Sequence, residues 1–123
     1  MFSNMENLVA GDLRIEVGEA DGSVRLDWKG KSNDRQPSKI LVPYFKQVLA
    51  QARERGATVE MHFEKLDHFN SSTITAIIQT IQEARNGAVK LVLVYDQSLK
   101  WQKLSFDALR VFAKDELLQL RSA

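Results

Sequence analysis

Cysteine is absent from this 123-residue chain, which removes disulfide frameworks, thiolate zinc sites, iron–sulfur clusters and cysteine nucleophiles together. Charge of one sign is missing as well. Seventeen Lys and Arg stand against 16 Asp and Glu, a formal net charge of +1, so no bulk field draws the chain to nucleic acid or an anionic bilayer. The longest apolar run, Leu91 to Tyr95, has five residues, far short of the roughly 20 that a membrane-spanning helix needs. The residues after Met1 lack the charged and then apolar layout of a signal peptide. A cytoplasmic protein with neither nucleic acid nor membrane as partner is expected. None of the six glycines falls into GxGxxG or GxxxxGK[ST], so both standard phosphate-cradling loops are absent and no cofactor is expected.

What is present is ordinary globular material, 44% hydrophobic and 27% charged, in a length suited to one domain with its own core. Residues 1–12 show no period and are expected as a flexible N-terminal arm before a single domain over 13–123. Leu13, Ile15 and Val17 alternate with polar residues, as do Val24, Leu26 and Trp28, which predicts a hairpin. Gly30 to Ser38 is polar and reads as a long loop. Leu41, Tyr44, Phe45, Val48, Leu49 and Ala52 then share one helical face that ends at Gly56, and Pro43 places the helix start near Leu41 or Val42. Val59, Met61 and Phe63 predict a third strand, followed by a loop over Lys65 to Asn70. Ile74, Ile77, Ile78 and Ile81 have the i, i+3, i+4, i+7 spacing of a helix buried along one stripe. Val89 to Tyr95 reads as a central strand covered on both faces by helices. Trp101, Leu104, Ala108 and Phe112 predict a third helix, broken near Ser105 and extended by Glu116 to Leu120. The order β β α β α β α gives an α/β fold with a mixed, mainly parallel sheet.

Three constellations could carry chemistry. His62, Asp67 and His68 are the one His and carboxylate cluster, and their placement on a strand and in a loop gives no metal-ligand spacing, so no metal is expected. The class they would support is a small metal-binding or acid-base enzyme using His62 and His68. Lys100, Trp101 and Lys103 interleave charge with an aromatic, either as a nucleic-acid stacking surface or as a helix with Trp101 and Leu104 on its core face. Phe69-Asn70-Ser71-Ser72-Thr73-Ile74 enters the second helix. Its Asn, Ser and Thr are good N-caps, and four small polar groups at the positive end of a helix dipole also suit an anion or a covalent phosphate.

Leu66-Asp67-His68-Phe69-Asn70-Ser71-Ser72-Thr73-Ile74, followed by Gly87 and LVLVY, resembles the STAS domain of bacterial anti-sigma factor antagonists over roughly Val24 to Phe112. In that family Asp-Ser-Ser-Gly opens the second helix. A partner serine kinase phosphorylates the first serine and a PP2C-type phosphatase releases the phosphate, so the resemblance implies Ser71 as the acceptor. It implies Asn70, Ser72, Thr73 and His68 as partner-binding residues. Asn70 stands where the family has Asp, and Thr73 where it has Gly. An Asn before the hydroxyls is similar to the SiaC-like branch, whose unphosphorylated form engages a diguanylate cyclase. The implied function is a non-enzymatic, phosphorylation-switched binding module whose partner is an anti-sigma factor with kinase activity or a diguanylate cyclase-like protein. The alternative within the family is a docking or assembly subunit without phosphorylation.

Overall fold

The computed structural model describes residues 5–20 and 22–123. Within the stretch expected as an arm, Leu8–Ala10 forms a short strand, β1, paired antiparallel with β2 (Leu13–Ala20); residues 1–4 of the expected arm lie outside the described residues. The preceding residues are tied down too: Asn7 Oδ1 accepts from the Val17 N–H at 2.8 Å, and the Tyr44 hydroxyl donates to the Glu6 carbonyl at 2.8 Å.

β2 pairs antiparallel with β3 (Ser23–Ser32), the predicted hairpin. After α1 (Ser38–Arg55) come β4 (Thr58–His62), β5 (Leu66–Phe69), α2 (Ser71–Asn86), β6 (Leu91–Tyr95), α3 (Lys100–Leu109) and β7 (Leu118–Ser122). The sheet order is β1-β2-β3-β4-β6-β7, and β3, β4, β6 and β7 run parallel. The strands predicted around Val24, Val59 and Leu91 are therefore parallel neighbours, each joined to the next through a helix.

Four elements differ from the sequence reading. α1 begins at Ser38, so Pro43 lies inside the helix. The Lys39 carbonyl loses its usual donor there, but both residues are exposed and water can replace it. The segment read as a loop contains β5, which pairs with the second half of β3, and β3 itself runs on to Ser32. α3 is continuous through Ser105 and closes in a single 3₁₀ turn, Arg110–Phe112. The expected helical extension over Glu116 to Leu120 is instead the approach to β7, whose Leu118 and Leu120 point inward by the period of two that a strand imposes.

β3 changes partner along one edge. Ser23 to Asp27 pairs with β4, Gly30 to Ser32 pairs with β5, and the register shifts between Gly30 and Lys31. Gly30 has φ +84, and a Cβ there would stand 2.1 Å from the Asp12 carbonyl oxygen, which accepts from the Lys31 N–H. Only glycine permits both the conformation and the approach.

The helices cover one face of the sheet. Leu41, Phe45, Val48 and Ala52 of α1, Ala76, Ile77 and Ile81 of α2, and Phe106 and Leu109 of α3 join a single core with Ile15, Leu26, Trp28, Met61, Leu91 and Leu93. Val92 and Val94 are buried outside it, in register with Glu60 and His62 on one side and Gln119 and Arg121 on the other. The five-residue apolar strand is thus buried by helices on one side and by long polar side chains on the other. Among the described residues no helix is long and apolar enough to cross a membrane.

Ile77 is fully buried, whereas Ile78, expected beside it in the core, is only half-buried. Ile77→Ala should cost about 2–5 kcal/mol through lost burial and a cavity, and Ile78→Ala less than about 2 kcal/mol; urea unfolding of both variants checks the order. Burial pushes the Tyr44 phenol up to about 12. A pKa raised above the unfolded value near 10 means that Tyr44 stabilises the fold fully below pH 10 and loses that contribution as pH rises through 12. Absorbance titration should show a late-ionising tyrosine that disappears in Tyr44→Phe.

Candidate functional site

Where β3 and β5 end side by side, the chain turns into α2. The Asn70 N–H donates to the Ser32 carbonyl at 3.1 Å, and Asn70 has the extended backbone of an N-cap (φ −91, ψ 174). Its Oδ1 accepts from the Thr73 N–H at 2.9 Å and from the Thr73 hydroxyl at 2.7 Å. Its Nδ2 donates to the Asp34 carbonyl at 2.8 Å. Asn70 is therefore the cap, and it joins α2 to the segment leaving β3.

Thr73 is fully buried, and its hydroxyl also lies 2.7 Å from the Ser32 hydroxyl, itself buried. Two of the expected partner-binding residues are thus framework: Thr73 has no surface to offer, and Asn70 is half-buried with both ends of its amide engaged. Ser71 is exposed at the first helical position and Ser72 is half-buried. Among the described residues neither hydroxyl makes a hydrogen bond. The Ser71 carbonyl accepts from the Thr75 hydroxyl, an ordinary intrahelical contact.

These bonds show what Asn70 and Thr73 do that an Asp and a Gly could not. An Asp at 70 would set a carboxylate oxygen against the Asp34 carbonyl where the amide now donates. A Gly at 73 would leave the buried Ser32 hydroxyl without its side-chain partner. Asn70, Thr73 and Ser32 form one compensating set.

His68 and Asp67 are exposed on β5. The His68 ring lies 6.3 Å from that of Trp101, which packs edge-on against Phe69 at 5.2 Å. Trp101 is only half-buried, and Leu104, expected with it on the core face, is 64% exposed. The residue that turns inward from this stretch is Gln102, fully buried, whose Nε2 donates to the Phe63 and Leu66 carbonyls at 2.6 and 3.3 Å and whose Oε1 accepts from the Asp96 N–H at 2.8 Å. It fastens the ends of β4, β5 and β6 to α3.

His62 lies elsewhere, at the end of β4. Its Nε2–H donates to Glu60 Oε1 at 3.0 Å, while Nδ1 stands 3.2 Å from Glu64 Oε1, off the line of a hydrogen bond. The carboxylates occupy opposite ring nitrogens and cannot converge on one ion. Among the described residues no three His, Cys, Asp or Glu side chains are grouped to hold a metal, and the structure does not bring His62 and His68 together.

No protein-family model matches the sequence, and no curated protein gives a significant match. Solved structures do. One chain of the complex of the diguanylate cyclase SiaD with its activator SiaC from Pseudomonas aeruginosa matches with a TM-score of 0.67 and 14% identity, over 96% of this chain and 99% of that one. The fold is STAS-like. An anti-sigma factor antagonist from Mycobacterium paratuberculosis matches with a TM-score of 0.57 and 13% identity, over 91% of this chain and 90% of that one. The phosphorylated form of the Bacillus cell-fate determinant SpoIIAA matches with a TM-score of 0.54 and 15% identity, over 89% and 90%.

In this STAS-like fold the two halves of the Asn70-Ser71 dipeptide should separate in a stability measurement. Asn70→Ala removes the cap and the tie to Asp34 and is expected to cost about 1–2 kcal/mol, whereas Ser71→Ala should cost less than about 0.5 kcal/mol. Asn70→Asp keeps the cap and gains from the helix dipole, but it loses the Asp34 bond and should also be destabilising. Denaturant midpoints for the three variants test the assignment.

Proposed function

We propose that the chain is a non-enzymatic, phosphorylation-switched regulator that docks a protein partner while Ser71 is unmodified and releases it when Ser71 carries phosphate. The observation that carries this reading is the division of labour at the start of α2. Asn70 supplies the cap, so the exposed Ser71 hydroxyl can be modified without removing a bond that the fold uses. A phosphate brings about −1.5 to −2 charge and three acceptor oxygens to a helix N-terminus, where the fold tolerates it while the surface changes sign. Ser72 and His68 border that surface, and Asn70 and Thr73 hold it in place.

Neighbours in fold include an antagonist of an anti-sigma factor, SpoIIAA in its phosphorylated form, and a complex of a diguanylate cyclase with its activator. The partner classes that fit this reading are an anti-sigma factor with serine-kinase activity and a diguanylate cyclase-like protein. A PP2C-type phosphatase would reset the switch, and the setting would be the bacterial cytoplasm.

The test has two parts. Mass spectrometry of the protein from cells that produce it natively should find phosphate on Ser71. Calorimetry against the partner recovered with unmodified protein should give equal affinity for wild type and Ser71→Ala, and at least tenfold weaker binding for Ser71→Asp, a difference of about 1.4 kcal/mol. Equal affinities for all three, with Ser71 unmodified in cells, would leave a docking domain without a switch.

A further inference from the structure

α3 has three sides. Gln102, Phe106 and Leu109 face the core. At 100° per residue, Lys100, Lys103, Asp107 and Arg110 fall together on a second side, three cations against one carboxylate. Lys103 Nζ bonds Asp107 Oδ2 at 2.7 Å, Arg110 reaches Asp107 at 3.4 Å and the Tyr95 hydroxyl at 2.6 Å, and Lys100 has no ion pair among the described residues. The third side holds Trp101, Leu104 and Ala108, and Val111 follows them in the closing 3₁₀ turn. Leu104 is 64% and Val111 68% exposed, and none of the described residues covers them.

The spacing of those four residues is 3, 4, 3, which is the a/d spacing of a helix that packs along another helix at a shallow angle. Its head, Trp101, packs edge-on against Phe69, which lies two residues before Ser71 in the chain. We propose that this side of α3 is a docking seam for an amphipathic helix of a partner protein, with its apolar ridge on Leu104 and Val111 and acidic residues against Lys100, Lys103 and Arg110. The inference rests on reading the chain as a partner-binding module, but not on the Ser71 switch. A second copy of this chain fits less well, because seam-to-seam packing sets the cationic sides against each other. A bilayer fits less well too: it has no use for a 3-4-3 spacing, and α3 offers it a ten-residue helix with one well-exposed large apolar side chain, Leu104.

The experiment places the photo-cross-linker p-benzoylphenylalanine at position 104 or 111, and at position 9 as a control, because Val9 is equally exposed at 67% but lies on β1. After irradiation of cells that produce the protein natively, adduct peptides are sequenced. The expected result is one segment joined to positions 104 and 111 but not to position 9, with apolar residues spaced 3 and 4 apart and an excess of Asp and Glu. A synthetic peptide of that segment should bind Leu104→Asp at least tenfold, and Lys100→Glu at least threefold, more weakly than wild type. Both substitutions are at exposed positions, and a Glu in the first turn of α3 suits its N-terminus. Adducts to lipid, to a second copy of this chain or to a basic segment would overturn the proposal, as would no adduct beyond that at position 9. Repeating the cross-link in Ser71→Asp separates the two readings. Seam adducts that persist there unchanged would uphold the seam and remove the switch, whereas a missing seam with Ser71→Asp still impaired in partner binding would do the reverse.

Discussion

The amide of Asn70 reinforces the meeting of three parts of the chain: the end of β3, the segment that leaves it and the start of α2. One end accepts from the backbone and hydroxyl of Thr73, the other donates to Asp34, and the backbone between them pairs with Ser32. A buried polar group is stabilising only when its bonding capacity is met, and a partly met one is worse than none. The cap of α2, the end of β3 and the small strand β5 therefore support one another. Because the amide does the capping, the adjacent hydroxyls are released from structural duty.

The same economy runs through the sheet. β3 serves two parallel strands on one edge by changing register at a glycine, and this lets β5 carry the chain back to the rim where α2 must begin. Behind that rim lies an aromatic cluster in which Trp28, Phe45, Phe63, Phe69, Phe106 and Tyr95 sit ring against ring at 4.7 to 6.5 Å. Contacts of this kind add to simple burial. They link α1, α3 and the central strands to Phe69, the residue before the cap of α2, so the candidate site is mounted on the packed core.

Much of this was legible in the sequence because it is written in periods. The hairpin, the three helices and the strands around Val59 and Leu91 each carry enough residues for a period of 2 or 3.6 to declare itself. β5 and β7 do not. Leu66-Asp67-His68-Phe69 has its apolar residues three apart, and its strand conformation comes from pairing with β3 beyond the bulge, a tertiary fact with no local trace. Leu118 and Leu120 offer one alternation in a charged context, which a helical reading can absorb. The even burial expected of Val89 to Tyr95 hid a division of faces, since an apolar strand looks the same whether helices or long polar side chains cover it. At the site, the tract and the exposed Ser71 could be read directly. That Thr73 was turned inward could not be read, because its partner Ser32 is 41 residues away in a segment that looked like polar loop.

The two tryptophans sit in opposite surroundings: Trp28 is sealed in the core with both neighbouring rings against it, and Trp101 stands half in water at the head of α3. Indole emission reports local polarity, so the molecule contributes two separable signals, one blue-shifted and shielded from dissolved quenchers and one red-shifted and open to them. The first reports whether the core is intact and the second whether something has covered α3. Folding and occupancy can therefore be followed at the same time in unlabelled protein.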